Sequence, residues 1–166
     1  MRIALIVLCL GFAAHTGANT PNPCDSAQHR AFDFWVGQWQ VSRPDGEPAG
    51  RNRIARIEGG CGLHESWTSA SGMTGQSLNA YDPVARRWRQ FWIGADGTVL
   101  VLEGGIRDGA MVMEGRLPTT AGARAVHNRI TWTPRPDGSV RQHWETQNAD
   151  GKGWNTLFDG LYRRSD

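Results

Sequence analysis

Turn chemistry recurs along this chain at regular intervals. Pro44-Asp45-Gly46, Gly59-Gly60, Ser71-Gly72, Asp82-Pro83, Ala95-Asp96-Gly97, Asp108-Gly109, Pro136-Asp137-Gly138 and Asp150-Gly151-Lys152-Gly153 punctuate it. Several carry Asp-Gly at the tip, where glycine accepts the positive φ that a tight hairpin demands. The segments between them alternate polar and apolar residues and are rich in Trp, Val, Ile, Thr and Tyr. That is the period and composition of half-buried strands. Ten candidates result: 38–43, 52–58, 61–69, 73–81, 87–93, 98–104, 110–116, 125–133, 139–147 and 154–163. The longest stretch without such a pattern is 117–124, a polar loop.

Successive strands joined by tight turns form a meander, and a meander this long hides its edges by closing on itself. The expected fold is all-β. It is an up-and-down antiparallel β-barrel of about 8–10 strands, with room for side chains and one small ligand. A two-sheet sandwich with Greek-key crossings is the alternative, and only 117–124 could supply its long connection.

The chain enters this sheet through Phe32-Asp33-Phe34-Trp35-Val36-Gly37-Gln38-Trp39-Gln40-Val41. Asp25 or Ser26 can cap a short N-terminal helix over 26–35, with Ala27, Arg30, Ala31, Phe34 and Trp35 near one face. The helix ends at Gly37. From there Trp39 and Val41 alternate with Gln38 and Gln40, the period of a strand. A large aromatic plug is thereby carried into the first strand.

Ahead of this lie Arg2, the apolar run Ile3 to Ala14, and the small residues Thr16-Gly17-Ala18. They read as a secretory signal peptide over 1–18, leaving one domain over 19–166. The run is shorter than the roughly 20 residues of a membrane span, and Cys9 lacks the small-residue lead-in of a lipoprotein site. The expectation is an exported protein, periplasmic or secreted, without membrane insertion. The 18 basic residues include Arg2, so the mature chain is nearly neutral against 16 acidic ones. Both signs are interspersed without a basic block, which argues against nucleic acid or an anionic membrane as partner. Cys24 and Cys61 invite one disulfide in an oxidising compartment, two buried free thiols being the alternative.

Period-2 reading sorts the strand faces. Cys61, Leu63, Glu65 and Trp67 share one, and Met73, Gly75, Ser77, Asn79 and Tyr81 another. So do Trp88, Gln90 and Trp92; Met111 and Met113; Val126, Asn128, Ile130 and Trp132; Val140, Gln142, Trp144 and Thr146; and Trp154, Thr156, Phe158, Gly160 and Tyr162. The faces richest in Trp are the expected inner ones. The sixth strand, with Val99, Leu100, Val101 and Leu102, is apolar on both faces. A few polar groups set among aromatics is the composition of a small-molecule pocket. Glu65 is the most informative residue, because a carboxylate on a Trp-lined inner face is costly unless paired or protonated. It is either a functional acid with a raised pKa or faces outward after a bulge has shifted the register.

Other chemistries find little support. His64, His127 and His143 lie on separate strands without an HxH or CxxC cluster, so no metal and no cofactor is expected. Gly59-Gly60 and Gly104-Gly105 lack the following helix of a phosphate loop. The serines at 66, 69, 71 and 77 have no nucleophile-elbow context.

The segment Phe32-Asp33-Phe34-Trp35-Val36-Gly37-Gln38-Trp39 resembles the FDFWxGxW signature of a family of bacterial, mostly exported proteins of unassigned function. The similarity continues through Gly59-Gly60-Cys61, Glu65-x-Trp67, Tyr81-Asp82, Trp88-x-Gln90-x-Trp92, Asp137-Gly138-Ser139-Val140-Arg141-Gln142, Trp144-Glu145 and Phe158-Asp159-Gly160-x-Tyr162. It spans nearly the whole mature chain. The resemblance implies a lipocalin-like (calycin) barrel and carries over no substrate and no catalytic residues. Gly37-x-Trp39 is similar to the GxW of lipocalins, whose Trp closes the barrel base.

The expected function is a carrier or sensor for a small apolar or aromatic ligand held inside the barrel. Trp67, Tyr81, Trp88, Trp92, Trp144 and Tyr162 are its candidate walls, and Glu65, Asn79, Gln90 and Gln142 its candidate orienting groups. The rival is a lyase, isomerase or hydrolase with Glu65 as general acid or base. A third reading is a structural or interaction barrel with a filled core.

Overall fold

The structure, a computed structural model, describes residues 21–118 and 125–165. The expected leader, 1–18, and most of the 117–124 loop lie outside the described residues. The strands, in chain order, are β1 Gly37–Ser42, β2 Pro48–Ile57, β3 Gly62–Ser69, β4 Thr74–Asp82 and β5 Arg87–Gly94. They continue as β6 Val99–Arg107, β7 Ala110–Pro118, β8 Ala125–Pro134, β9 Val140–Gln147 and β10 Trp154–Arg164. Each pairs antiparallel with its sequence neighbours, and β1 pairs with β10, so the sheet is a closed up-and-down barrel. Apart from that closure no strand among the described residues pairs out of sequence, which rules out the sandwich. No helix among the described residues is long and apolar enough to cross a membrane.

The turns act as their sequences demand. Asp45, Asp96, Asp137 and Asp150 each accept, through Oδ1, the backbone N–H two residues on, at 2.9–3.0 Å. The glycine between donor and acceptor takes positive φ, 84° at Gly97 and 80° at Gly138, which a residue with a Cβ adopts only under strain.

The N-terminal helix is shorter than the sequence predicts. Ser26 caps α1, Ala27–Arg30, by accepting the His29 N–H. The α-helix then stops, and a separate 3-10 turn, Asp33–Trp35, follows. The break turns Phe32 rather than Phe34 inward beside Trp35. Both rings are fully buried and stack with centroids 4.8 Å apart. A helix this short has little stability of its own, so burial of two large rings decides the local geometry.

These rings plug one end of the barrel. Phe32, Trp35, Trp39, Trp88 and Trp132 form the floor, with Leu100, Leu102, Met111 and Met113 packed in the same core. Trp39 Nε1 donates to the Trp35 carbonyl at 2.9 Å. Arg164 seals the floor from outside, its guanidinium 4.5 Å from the Trp39 ring centroid and donating to the Val36 carbonyl. A Cys24–Cys61 disulfide ties the plug segment to the β2–β3 connection, and Asn22 Nδ2 donates to the Gly59 carbonyl alongside it.

In β6, Leu100 and Leu102 face in while Val99 and Val101 are exposed, resolving an alternation the sequence left open. In β10 the single face expected for Trp154, Thr156, Phe158, Gly160 and Tyr162 is split. The register shifts between Thr156 and Phe158, making Leu157 an extra residue. Trp154 therefore points outward, under the Arg129 guanidinium at 3.9 Å and beside His127. Thr156 likewise meets His143 on the outside.

Candidate ligand-binding site

Successive turns alternate between the barrel ends, so the β1–β2, β3–β4 and β5–β6 turns lie opposite the plug. At that end the barrel is hollow. The cavity measures about 400 Å3, within the range of small-molecule sites. Its walls are Trp67, Trp92, Trp132, Trp144, Ile130 and Phe158; Glu65, Gln90, Gln142 and Tyr162 bring polar atoms to it; Arg43, Ser69, Met73, Asp96 and Thr98 stand at the mouth.

Local sequence explains how the walls are set. Trp92 on β5 lies across Gly75, its cross-strand neighbour but one on β4, and a Cβ at Gly75 would collide with the indole. Trp144 Nε1 donates to Asn128 Oδ1 at 2.9 Å, which fixes that ring against β8. Asn128 in turn donates to the Val126 carbonyl.

Of the ten residues singled out in the sequence, Glu65, Trp67, Gln90, Trp92, Gln142, Trp144 and Tyr162 line the cavity. Asn79 stands one layer behind, buried, and accepts the Gln90 Nε2 donor at 2.8 Å. Tyr81 and Trp88 do not reach the cavity and belong to the plugged end. Trp88 Nε1 donates to the Gln28 carbonyl at 3.1 Å, and the Tyr81 ring meets His29 edge-on. Strand parity gives their side of the sheet but not their height in the barrel.

No family model matches the chain, and no curated protein is significantly similar to it. What the site can do chemically follows from its own atoms. Glu65 is 4% exposed. Ser77 Oγ donates to its Oε2 at 2.6 Å and Asn52 Nδ2 to its Oε1 at 2.7 Å. Burial pushes the carboxyl pKa up, and those two hydrogen bonds oppose the rise without cancelling it. Burial, and then the neighbouring Glu65 charge, hold the Tyr162 phenol well above its usual range. Tyr162 OH donates to Gln142 Oε1, and Asn52 Nδ2 also reaches that hydroxyl at 3.3 Å.

Asn52 and Ser77 are the polar residues that the sequence did not mark as site members. Ser77 was on the correct face but carries no charge to draw notice. Asn52 sits between Arg51 and Arg53 on a strand without aromatics, and its only signal was alternation with Ile54. Among the described residues no three His, Cys, Asp or Glu side chains converge as metal ligands would. His64, His127 and His143 contact Gln76, Glu114 and Thr156 instead.

The raised Glu65 pKa makes stability pH-dependent with a definite sign. A carboxyl that binds its proton more tightly when folded contributes stability below its unfolded pKa, and that contribution is lost as pH rises through the folded value. Glu65→Gln removes this slope. Thermal melts of wild type and variant between pH 4 and 8 should therefore diverge with rising pH, the wild type falling relative to the variant. Parallel curves would show that Glu65 titrates as it does in the unfolded chain.

Proposed function

We propose that this protein is an exported carrier or sensor that holds one small apolar or aromatic molecule in the open half of its barrel. The observation that carries this is the cavity of about 400 Å3, walled by tryptophans and open opposite the plug. Apolar walls supply burial energy and a few convergent polar groups supply orientation. The hollow favours this reading over a filled barrel. The Cys24–Cys61 bridge supports an oxidising destination, as the leader composition does.

Binding is favoured over catalysis by the state of Glu65. Both of its oxygens already accept hydrogen bonds from the wall, and it offers almost no surface. A general acid or base must come within hydrogen-bond reach of the proton that it moves.

Titration with acetylnaphthalene, followed by quenching of tryptophan fluorescence, tests the reading. Saturable binding of one molecule per chain is expected, weakened about tenfold by Trp144→Ala, since a lost aromatic contact with its buried area is worth roughly 1.4 kcal/mol or more. Native mass spectrometry of protein from its own host should show a co-purifying small molecule. Quenching that never saturates, together with a bare native mass, would sink the proposal.

A further inference from the structure

We infer that the pocket selects by hydrogen-bond polarity: it takes neutral aromatic molecules that offer a donor to Gln90 and an acceptor to Gln142. This rests on the ligand-binding reading above and specifies its ligand class. The basis is a chain of side chains running in both directions from Glu65.

One arm leaves Glu65 Oε2. Ser77 Oγ–H donates to that oxygen, Asn79 Nδ2 donates to Ser77 Oγ at 2.9 Å, and Gln90 Nε2 donates to Asn79 Oδ1 at 2.8 Å. The other arm leaves Oε1. Asn52 Nδ2 donates to that oxygen and to the Tyr162 hydroxyl, whose own proton goes to Gln142 Oε1. Both Glu65 oxygens accept, and an amide has one donating and one accepting end. Fixing the direction at Glu65 therefore fixes it at every link. Gln90 is left with its carbonyl oxygen to offer, and Gln142 with its NH2.

Both termini are at the cavity. Gln90 and Gln142 line it, and neither Gln90 Oε1 nor Gln142 Nε2 is among the solvent-excluded, unpartnered polar atoms of the described residues. A network that existed only to satisfy itself would pair its ends inside the wall. This one points an acceptor and a donor into an aromatic-lined space. The one orphan within it, Asn52 Oδ1, is shut off from solvent and has no part in recognition. A ligand carboxylate is disfavoured, because its oxygens would face the Gln90 Oε1 acceptor.

The test uses four neutral probes: an acetylnaphthol with its two groups on opposite rings, its O-methyl ether, the naphthol without the acetyl group, and naphthalene. Affinities are read by tryptophan quenching on wild type, Ser77→Ala and Tyr162→Phe. On wild type the acetylnaphthol should bind about tenfold tighter than its ether, and about tenfold tighter than the plain naphthol, each being one buried hydrogen bond. Ser77→Ala frees Gln90 to rotate, so the hydroxyl preference should fall to near unity while the acetyl preference persists. Tyr162→Phe frees Gln142 and should do the reverse. A merely structural role would move all four affinities together in both variants. Equal binding of all probes to wild type, or the same pattern in both variants, overturns the polarity while leaving a pocket. Failure of every probe to bind overturns the pocket itself, and the polarity with it.

Discussion

Trp35→Ala should lower the unfolding free energy by about 3–5 kcal/mol, the range for truncating a buried large aromatic. Trp35 is fully buried, stacked on Phe32 at 4.8 Å and packed against Trp132 at 5.4 Å. Its indole N–H has no acceptor among the described residues, so the loss is almost entirely packing and cavity formation. The neighbours cannot collapse into the space, because Trp39 is pinned to the Trp35 carbonyl and Arg164 is laid over Trp39. Urea unfolding monitored by circular dichroism measures the loss, and the melting midpoint should fall by roughly 10 °C. Trp35→Phe keeps much of the volume, discards the unpartnered N–H, and should fall by less than about 1.5 kcal/mol. If the alanine variant lost under 1 kcal/mol, the plug would be an ornament rather than the floor.

Opening the Cys24–Cys61 bridge, by reduction or by a double serine variant, should be nearly as damaging. The two cysteines are 37 residues apart, and closing a loop of that size restricts the unfolded chain by roughly 4 kcal/mol. The bridge also spans the plug segment, which is otherwise held by Asn22 to Gly59 and by Arg56 to Asp33 at 2.6 Å. Hydrogen exchange should therefore quicken around residues 24–36 and 58–62 before the remaining strands follow. Uniform acceleration across the barrel would mean that the tether acts only through the unfolded state.

The fold was legible because its turn chemistry is explicit. Asp-Gly tips at 45–46, 96–97, 137–138 and 150–151 set strand limits that the structure matches within a few residues. The largest boundary error is at β2, which starts at Pro48 rather than 52, since Pro48-Ala49-Gly50 carries no strand signature of its own. Side-chain parity placed Glu65, Gln90 and Gln142 on the inner face, because period 2 is exact wherever no residue is inserted. It failed at β10, where Leu157 is an ordinary apolar residue and nothing in its type announces a bulge. Parity also says nothing of depth, so Trp88 and Trp92, four residues apart on one strand, read alike although one belongs to the floor and the other to the cavity wall. The helix was overextended because local propensity cannot see that Phe32 and Trp35 share a destination.

Leu157 sets the parity of β10 on its N-terminal side. Pair all the residues from Trp154 to Tyr162 without the bulge, and an indole now sitting under Arg129 turns to the inside at the open end. The space that a guest molecule needs would then be taken by the protein's own ring. The bulge in one strand thus keeps that ring out of the barrel mouth. Excising Leu157 should leave the ring outside, because Trp154 then stays opposite Gln147; chains that keep the residue and flatten the bulge are the ones that should be empty-handed.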